Sequence, residues 1–139
     1  MFDHHLLDML ELGVLGFEPM AEIVGPKKFV GSCPMMVFNG DEWDRTPDLV
    51  KLRSLLLDVF AARDVTSVAL AGLDHVIALT VRGDVVHWRT FFMHMRKAAS
   101  GLVPRVELVP MGPSLDLELR RVHSAGADLE KAAMKQPKA

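Results

Sequence analysis

Beyond residue 64 the apolar residues recur at every second position, the spacing of a strand with one buried face and not of a helix. "HVIALTV" (75–81) and "VVHWRTFFMHM" (85–95) are rich in β-branched and aromatic residues, and Arg82-Gly83-Asp84 between them reads as a hairpin turn. "RVELV" and "SLDLELRRV" follow, hinged at Met111-Gly112-Pro113, and read as two further strands. In the second, Leu115, Leu117 and Leu119 fall on one face and Asp116, Glu118 and Arg120 on the other.

The first sixty residues are punctuated differently. "FDHHLLDMLELGV" puts Leu6, Leu7, Leu10 and Val14 at helical spacing, with Asp3 to cap and Gly13 and Gly16 to end the helix. "FEPMAEIV" predicts a short helical turn, "VGPKKFVGSCP" a loop, and "PMMVF" (34–38) a short buried strand. The clearest helix is "TPDLVKLRSLLLDVFAARD". Thr46 suits its cap, Pro47 its first position, and Asp48 the positive end of its dipole. Leu49, Leu52, Leu56 and Val59/Phe60 form its core stripe, with Lys51, Arg53 and Asp58 off it. "ADLEKAAMK" predicts a short terminal helix. The fold class expected is α+β: two or three helices packed against a largely antiparallel sheet.

A chain of 139 residues fits one domain, and its 50% hydrophobic and 24% charged residues are an ordinary globular mix. No apolar run approaches the ~20 residues of a membrane helix, and "MFDHHLLDML" lacks the basic start of a signal peptide. No membrane partner is expected. The lone Cys33 excludes an internal disulfide framework and suggests a reducing compartment. A net charge of −2 argues against nucleic-acid binding through bulk positive charge, and the absence of Tyr disfavours base-stacking platforms. Any contact with a polyanion must come from a local patch.

Motifs for chemistry are sparse. Asp3-His4-His5 has no second ligand cluster at metal-site spacing, so no metal or other cofactor is expected. His87 and His94 are an odd number apart and face opposite ways on an unbroken strand. Cys33 has no local base to activate it, and neither a nucleophile elbow nor a phosphate-binding glycine loop occurs. No catalytic residues are expected. A deep polar pocket gathering two or more of Cys33, Asp74, His75, His87 and His94 would reverse that reading. Met9, Met20, Met35, Met36, Met93, Met95, Met111 and Met134 suit core gaps or an adaptable partner surface.

The basic residues form a pattern of their own. Arg96 and Lys97 end one strand and Arg105 opens the next. Arg120 and Arg121 end the last, with Lys131 and Lys135 on the terminal helix. In a meander following sequence order, Arg96, Lys97, Arg105, Arg120 and Arg121 gather at one rim, a candidate site for RNA phosphates. A solvated rim on a protein-interaction module remains the alternative.

"FDHHLLDMLELGV", "KLRSLLLDVF", "LAGLDHVIALT" and above all "PRVELVPMGPSLDLELRRVHSAGADLEKAAMKQPK" resemble the Brix-domain family, in the family's order from residue 2 onward. The resemblance implies a Brix domain over residues 1–139, incomplete at its N-terminal side and without the family's basic C-terminal tail. The complete fold has two α/β halves, similar to the anticodon-binding domain of class IIa aminoacyl-tRNA synthetases. The resemblance further implies a non-enzymatic, nucleolar ribosome biogenesis factor that supports rRNA processing. Its obligate partner is expected to be regulator of ribosome synthesis 1. With it, the chain is expected to recruit the 5S ribonucleoprotein (5S rRNA and its ribosomal proteins) to the precursor of the large (60S) subunit and its rRNA.

Overall fold

Along the chain the computed structural model runs β1 (Met9–Glu18), β2 (Met35–Asn39), α1 (Glu42–Arg45), α2 (Pro47–Val59), β3 (His75–Arg82), β4 (Val85–Arg96), β5 (Arg105–His123) and α3 (Ala127–Ala133). It describes residues 8–26, 33–60, 67, 69, 72–98, 101, 103–133 and 135. The strands form one sheet in the order β1-β5-β4-β3-β2. All neighbours are antiparallel except β2 with β3. The parallel pair follows from the intervening helices, because a crossover returns the chain to the same end of the sheet.

The β3–β4 hairpin closes at Gly83-Asp84, with Arg82 opposite Val85. Gly83 adopts φ +59°, the left-handed conformation a two-residue turn requires. The alternation predicted for both strands then sends Ile77, Leu79, Val81 and Val86 to one side. There they meet Trp43 of α1, Leu49 and Leu52 of α2, and Leu117 of β5 in the buried core. The α2 stripe is as the sequence predicts at Leu49, Leu52 and Leu56, but Val59 is exposed. Thr46 occupies the N-cap position without a side-chain cap bond, and Pro47 opens the helix.

Two expectations fail. The helix predicted around Leu10–Val14 is strand β1, and Gly13 and Gly16 lie within it. Leu10 and Leu12 satisfy strand alternation as well as helical spacing, and both pack against the core. The 10-residue pairing with β5 overrides the local helical signal. Residues 1–7, including Asp3, His4 and His5, lie outside the described residues. Second, the Met111-Gly112-Pro113 hinge does not split two strands. The 19-residue β5 is continuous, and both halves pair with the same strand: Ser114–Glu118 with Arg89–Val85, and Arg105–Pro110 with Arg96–Phe91. The hinge is a bulge, with three β5 residues set against Thr90 alone.

Candidate nucleic-acid interface

α1 and α2 pack on one face of the sheet, and the other is open toward the β3–β4 turn, where Arg82 is exposed, but covered at Val76. Strand alternation assigns that open face Thr80 and Arg82 from β3, His87 and Arg89 from β4, and Asp116 and Glu118 from β5. Ser114, Asp116 and Glu118 sit directly across from Arg89, His87 and Val85. Asp116 accepts from His87 Nδ1 at 2.6 Å and from Arg89 at 2.7 Å. Those two bonds hold its carboxyl below the usual range.

The predicted basic rim does not exist as one cluster. Arg105 pairs across from Arg96, with Lys97 following. Arg120 and Arg121 lie at the other end of β5. The 12 residues of β4 run between the two groups, which at ~3.3 Å per residue separates them by roughly 35 Å. The meander failed because the two expected strands are one. At the first end Glu107 takes Arg96 Nε at 2.6 Å and an Arg105 guanidinium nitrogen at 3.3 Å, leaving one net positive charge from the three side chains. The bond from Arg96, followed by the charges of Arg96 and Arg105, draws the Glu107 carboxyl below its ordinary value.

The other end is richer. On a regular strand Arg120 and Arg121 would face opposite ways. Here Glu11 pairs with Arg121 and Leu12 with Leu119, so Arg120 is an extra, bulged residue. Leu12 faces the core, so Gly13 presents its missing side chain to the open face, and a Cβ there would collide with the Arg120 guanidinium. Arg121 lies beside its cross-strand partner Glu11, at 3.6 Å. The bulge therefore aims both arginines onto the open face. Arg120 is 3.8 Å from Glu118. Both pairs are exposed and of the kind worth ~0–1 kcal/mol, weak enough for a phosphate to displace. Lys131 and Lys135 follow on and after α3, both exposed and without a carboxylate partner among the described residues. Lys51 anchors this end by bonding Asp8 at 2.9 Å and Ser124 at 3.0 Å, while the Ala125 amide donates to Asp8 at 3.2 Å. The bond from Lys51 is the main reason the Asp8 carboxyl lies below its usual range.

Arg82 and Arg89 belong to the same basic surface and were missed in the sequence. The signal was present: two-residue closure at Gly83-Asp84 sets Thr80 opposite His87, and alternation away from Val81, Val86 and Trp88 puts Arg82 and Arg89 on Arg120's side.

A cavity of about 530 Å³ does gather Cys33 and His75, and His75 Nδ1 lies 2.5 Å from Asp74. It is not a polar pocket. Phe60, Ile77, Trp88, Met111 and Pro113 supply much of its wall, and Cys33 Sγ donates weakly to the Phe60 carbonyl at 3.7 Å. No group of three or more metal-binding side chains occurs among the described residues, and no helix there is long and apolar enough to cross a membrane.

The outer edge of β1 is unpaired among the described residues. Val14, Leu15 and Phe17 along it are each more than half exposed, and Met9 and Met20 are also exposed. Such an edge invites main-chain pairing from another segment.

The result is an α+β sheet with one helical face, one face on which arginines and carboxylates alternate, and one apolar edge. The chain belongs to the Brix family, whose domain model matches residues 3–121. It is 43% identical over its full length to the "Ribosome production factor 2 homolog" of Homo sapiens. It is 38% identical to the protein of that name from Drosophila melanogaster, and 33% identical to the "Ribosome biogenesis protein RPF2" of Saccharomyces cerevisiae, over 99% of the chain in each case. The chain spans 45% of the human relative and 43% of the other two.

Proposed function

We infer that this chain is the RNA-contacting portion of a ribosome biogenesis factor that acts as a scaffold and not as a catalyst. The observation that carries the reading is the open face on which the β5 bulge turns Arg120 and Arg121 to the same side as Arg82 and Arg89. Phosphate contacts need clustered cations: Arg120 and Arg121 are only weakly paired, and Arg82 has no carboxylate partner among the described residues. The names of the relatives supply the process, ribosome production. Within it, the chain joins regulator of ribosome synthesis 1 through the exposed β1 edge. The pair brings the 5S ribonucleoprotein to the precursor large subunit in the nucleolus and supports rRNA processing there. Arg96, Lys97 and Arg105 form a second, separate RNA contact at the far end of the sheet.

Reversing Arg120 and Arg121 to Glu replaces two positive charges with two negative ones. RNA retention at low salt should fall at least tenfold while partner binding is unchanged. Unaltered retention would remove the open face from the RNA contact. The partner assignment predicts that the chain expressed alone is poorly soluble and that co-expression with the partner rescues it. A monodisperse monomer would count against it. A second reading, a protein-interaction module without RNA contact, is favoured by the apolar β1 edge and by the carboxylates beside the arginines. Partner binding without salt-dependent RNA retention would select it.

A further inference from the structure

Thr80, Arg82, His87 and Arg89 enclose a shallow cup of about 270 Å³ on the open face. No carboxylate lines it. Arg82 is exposed and is the only arginine among the described residues without a carboxylate partner. Arg89 is immobilised, donating to the Leu115 carbonyl at 2.7 Å, the Trp88 carbonyl at 2.9 Å and Asp116 at 2.7 Å. Asn39 donates to Thr80 Oγ1 at 3.3 Å, which leaves the Thr80 hydroxyl hydrogen to be donated elsewhere.

His87 gives the cup its asymmetry. Asp116 is an acceptor, so the His87 nitrogen beside it, Nδ1, carries the proton. In the neutral ring Nε2 is then a bare acceptor, with no partner among the described residues. Nδ1 points toward β5, so Nε2 points back toward β3, where Thr80 sits directly opposite. The cup thus offers two donors and a single acceptor, all on rigid strands.

We propose that this cup holds one sugar–phosphate unit of an RNA strand, with phosphate oxygens on Arg82 and Thr80 and the ribose 2′-hydroxyl donating to His87 Nε2. The inference rests on the RNA-scaffold reading and adds to it a contact that tells ribose from deoxyribose. The volume fits: about 270 Å³ lies just below the ~300 Å³ at which pockets for whole small molecules begin. The surroundings fit a strand rather than a free nucleotide. Arg120 reaches over β1, three strands from Arg82 and so about 14 Å away on the same face. A continuing backbone would meet it.

The test is fluorescence anisotropy of the 139-residue chain, co-expressed and co-purified with its partner, with a labelled single-stranded RNA of about 12 nucleotides, within the usual range for one such surface. Its 2′-deoxy and 2′-O-methyl counterparts are measured alongside. The RNA should bind roughly 3–10-fold tighter than either, the worth of one hydrogen bond. The 2′-O-methyl strand keeps the sugar shape of RNA and replaces the donor hydrogen with a methyl, while the deoxy strand removes the whole hydroxyl. His87→Phe should erase the preference for RNA over its 2′-deoxy and 2′-O-methyl counterparts. Arg82→Ala should weaken all three equally and lower the salt slope by about 0.7, one phosphate on a single strand. Equal binding of RNA and 2′-O-methyl RNA by the unaltered chain overturns the cup, without needing any variant to fold. If Arg82→Ala is silent while the Arg120/Arg121 reversal still weakens binding, the cup is wrong and the scaffold reading stands. No RNA binding at low salt defeats both.

Discussion

The two halves of β5 share a strand and little else. The second half, Ser114–His123, lies between β1 and β4 and sends Leu117 into the core. The first half, Arg105–Pro110, pairs with β4 alone, and Val106 and Leu108 there are about half exposed. The bulge at Met111–Pro113 separates them. One continuous backbone is thus sheet interior on one side of the bulge and, where Arg105–Leu108 faces Arg96–Met93 beyond the end of β3, a two-stranded arm on the other. A two-stranded ribbon is marginal by itself, so stability should concentrate in the second half and adaptability in the first.

The sharpest way to break this comparison is one truncation in each half. Leu117→Ala should destabilise by about 2–4 kcal/mol, the range for a buried leucine. Leu108→Ala should change stability by no more than about 0.5 kcal/mol. Urea midpoints of the two variants measure the contrast, and equal losses would mean the arm is packed as tightly as the interior.

The bulge itself comes next. Gly112 has φ +74°, and a Cβ there would meet Ile23 and the Met20 backbone. Gly112→Ala should lose at least about 1–2 kcal/mol, the left-handed penalty for a residue with a side chain. A neutral result in thermal unfolding would show that the bulge relaxes freely.

The smallest effect is electrostatic. Asp116 in the interior half, bonded by His87 and Arg89, and Glu107 on the arm, bonded by Arg96, both have carboxyls lowered by those hydrogen bonds. A lowered folded-state value stabilises above the unfolded carboxyl range near pH 4, and that stabilisation disappears as pH falls through the folded value. Asp116→Asn should therefore be less stable than the unaltered chain at pH 7, with the difference vanishing toward pH 2. Glu107→Gln should move global unfolding less, because an arm that frays first contributes little to it. Identical pH profiles for both variants would contradict the division of β5.

Much of this architecture was legible locally. Alternation in residues 75–95 and the Gly83-Asp84 turn defined the hairpin, and the Thr46-Pro47 start with its leucine stripe defined α2. The candidate site was legible only in part. Arg120 and Arg121 were visible as a pair, but the rim joining them to Arg96, Lys97 and Arg105 depended on Met111-Gly112-Pro113 turning the chain back. Arg82 read as part of a turn and Arg89 as nothing in particular until register set them beside His87.

Residue order alone decided which segments alternate, where α2 begins, and that the net charge leaves room only for a local basic patch. Folding decided that β1 is a strand, that β5 crosses its own hinge unbroken, and which way Arg120 points. The reason is that these are properties of pairing between distant segments, Met9–Glu18 with Ser114–His123 and both halves of β5 with β4. A register between segments a hundred residues apart is written in neither one alone.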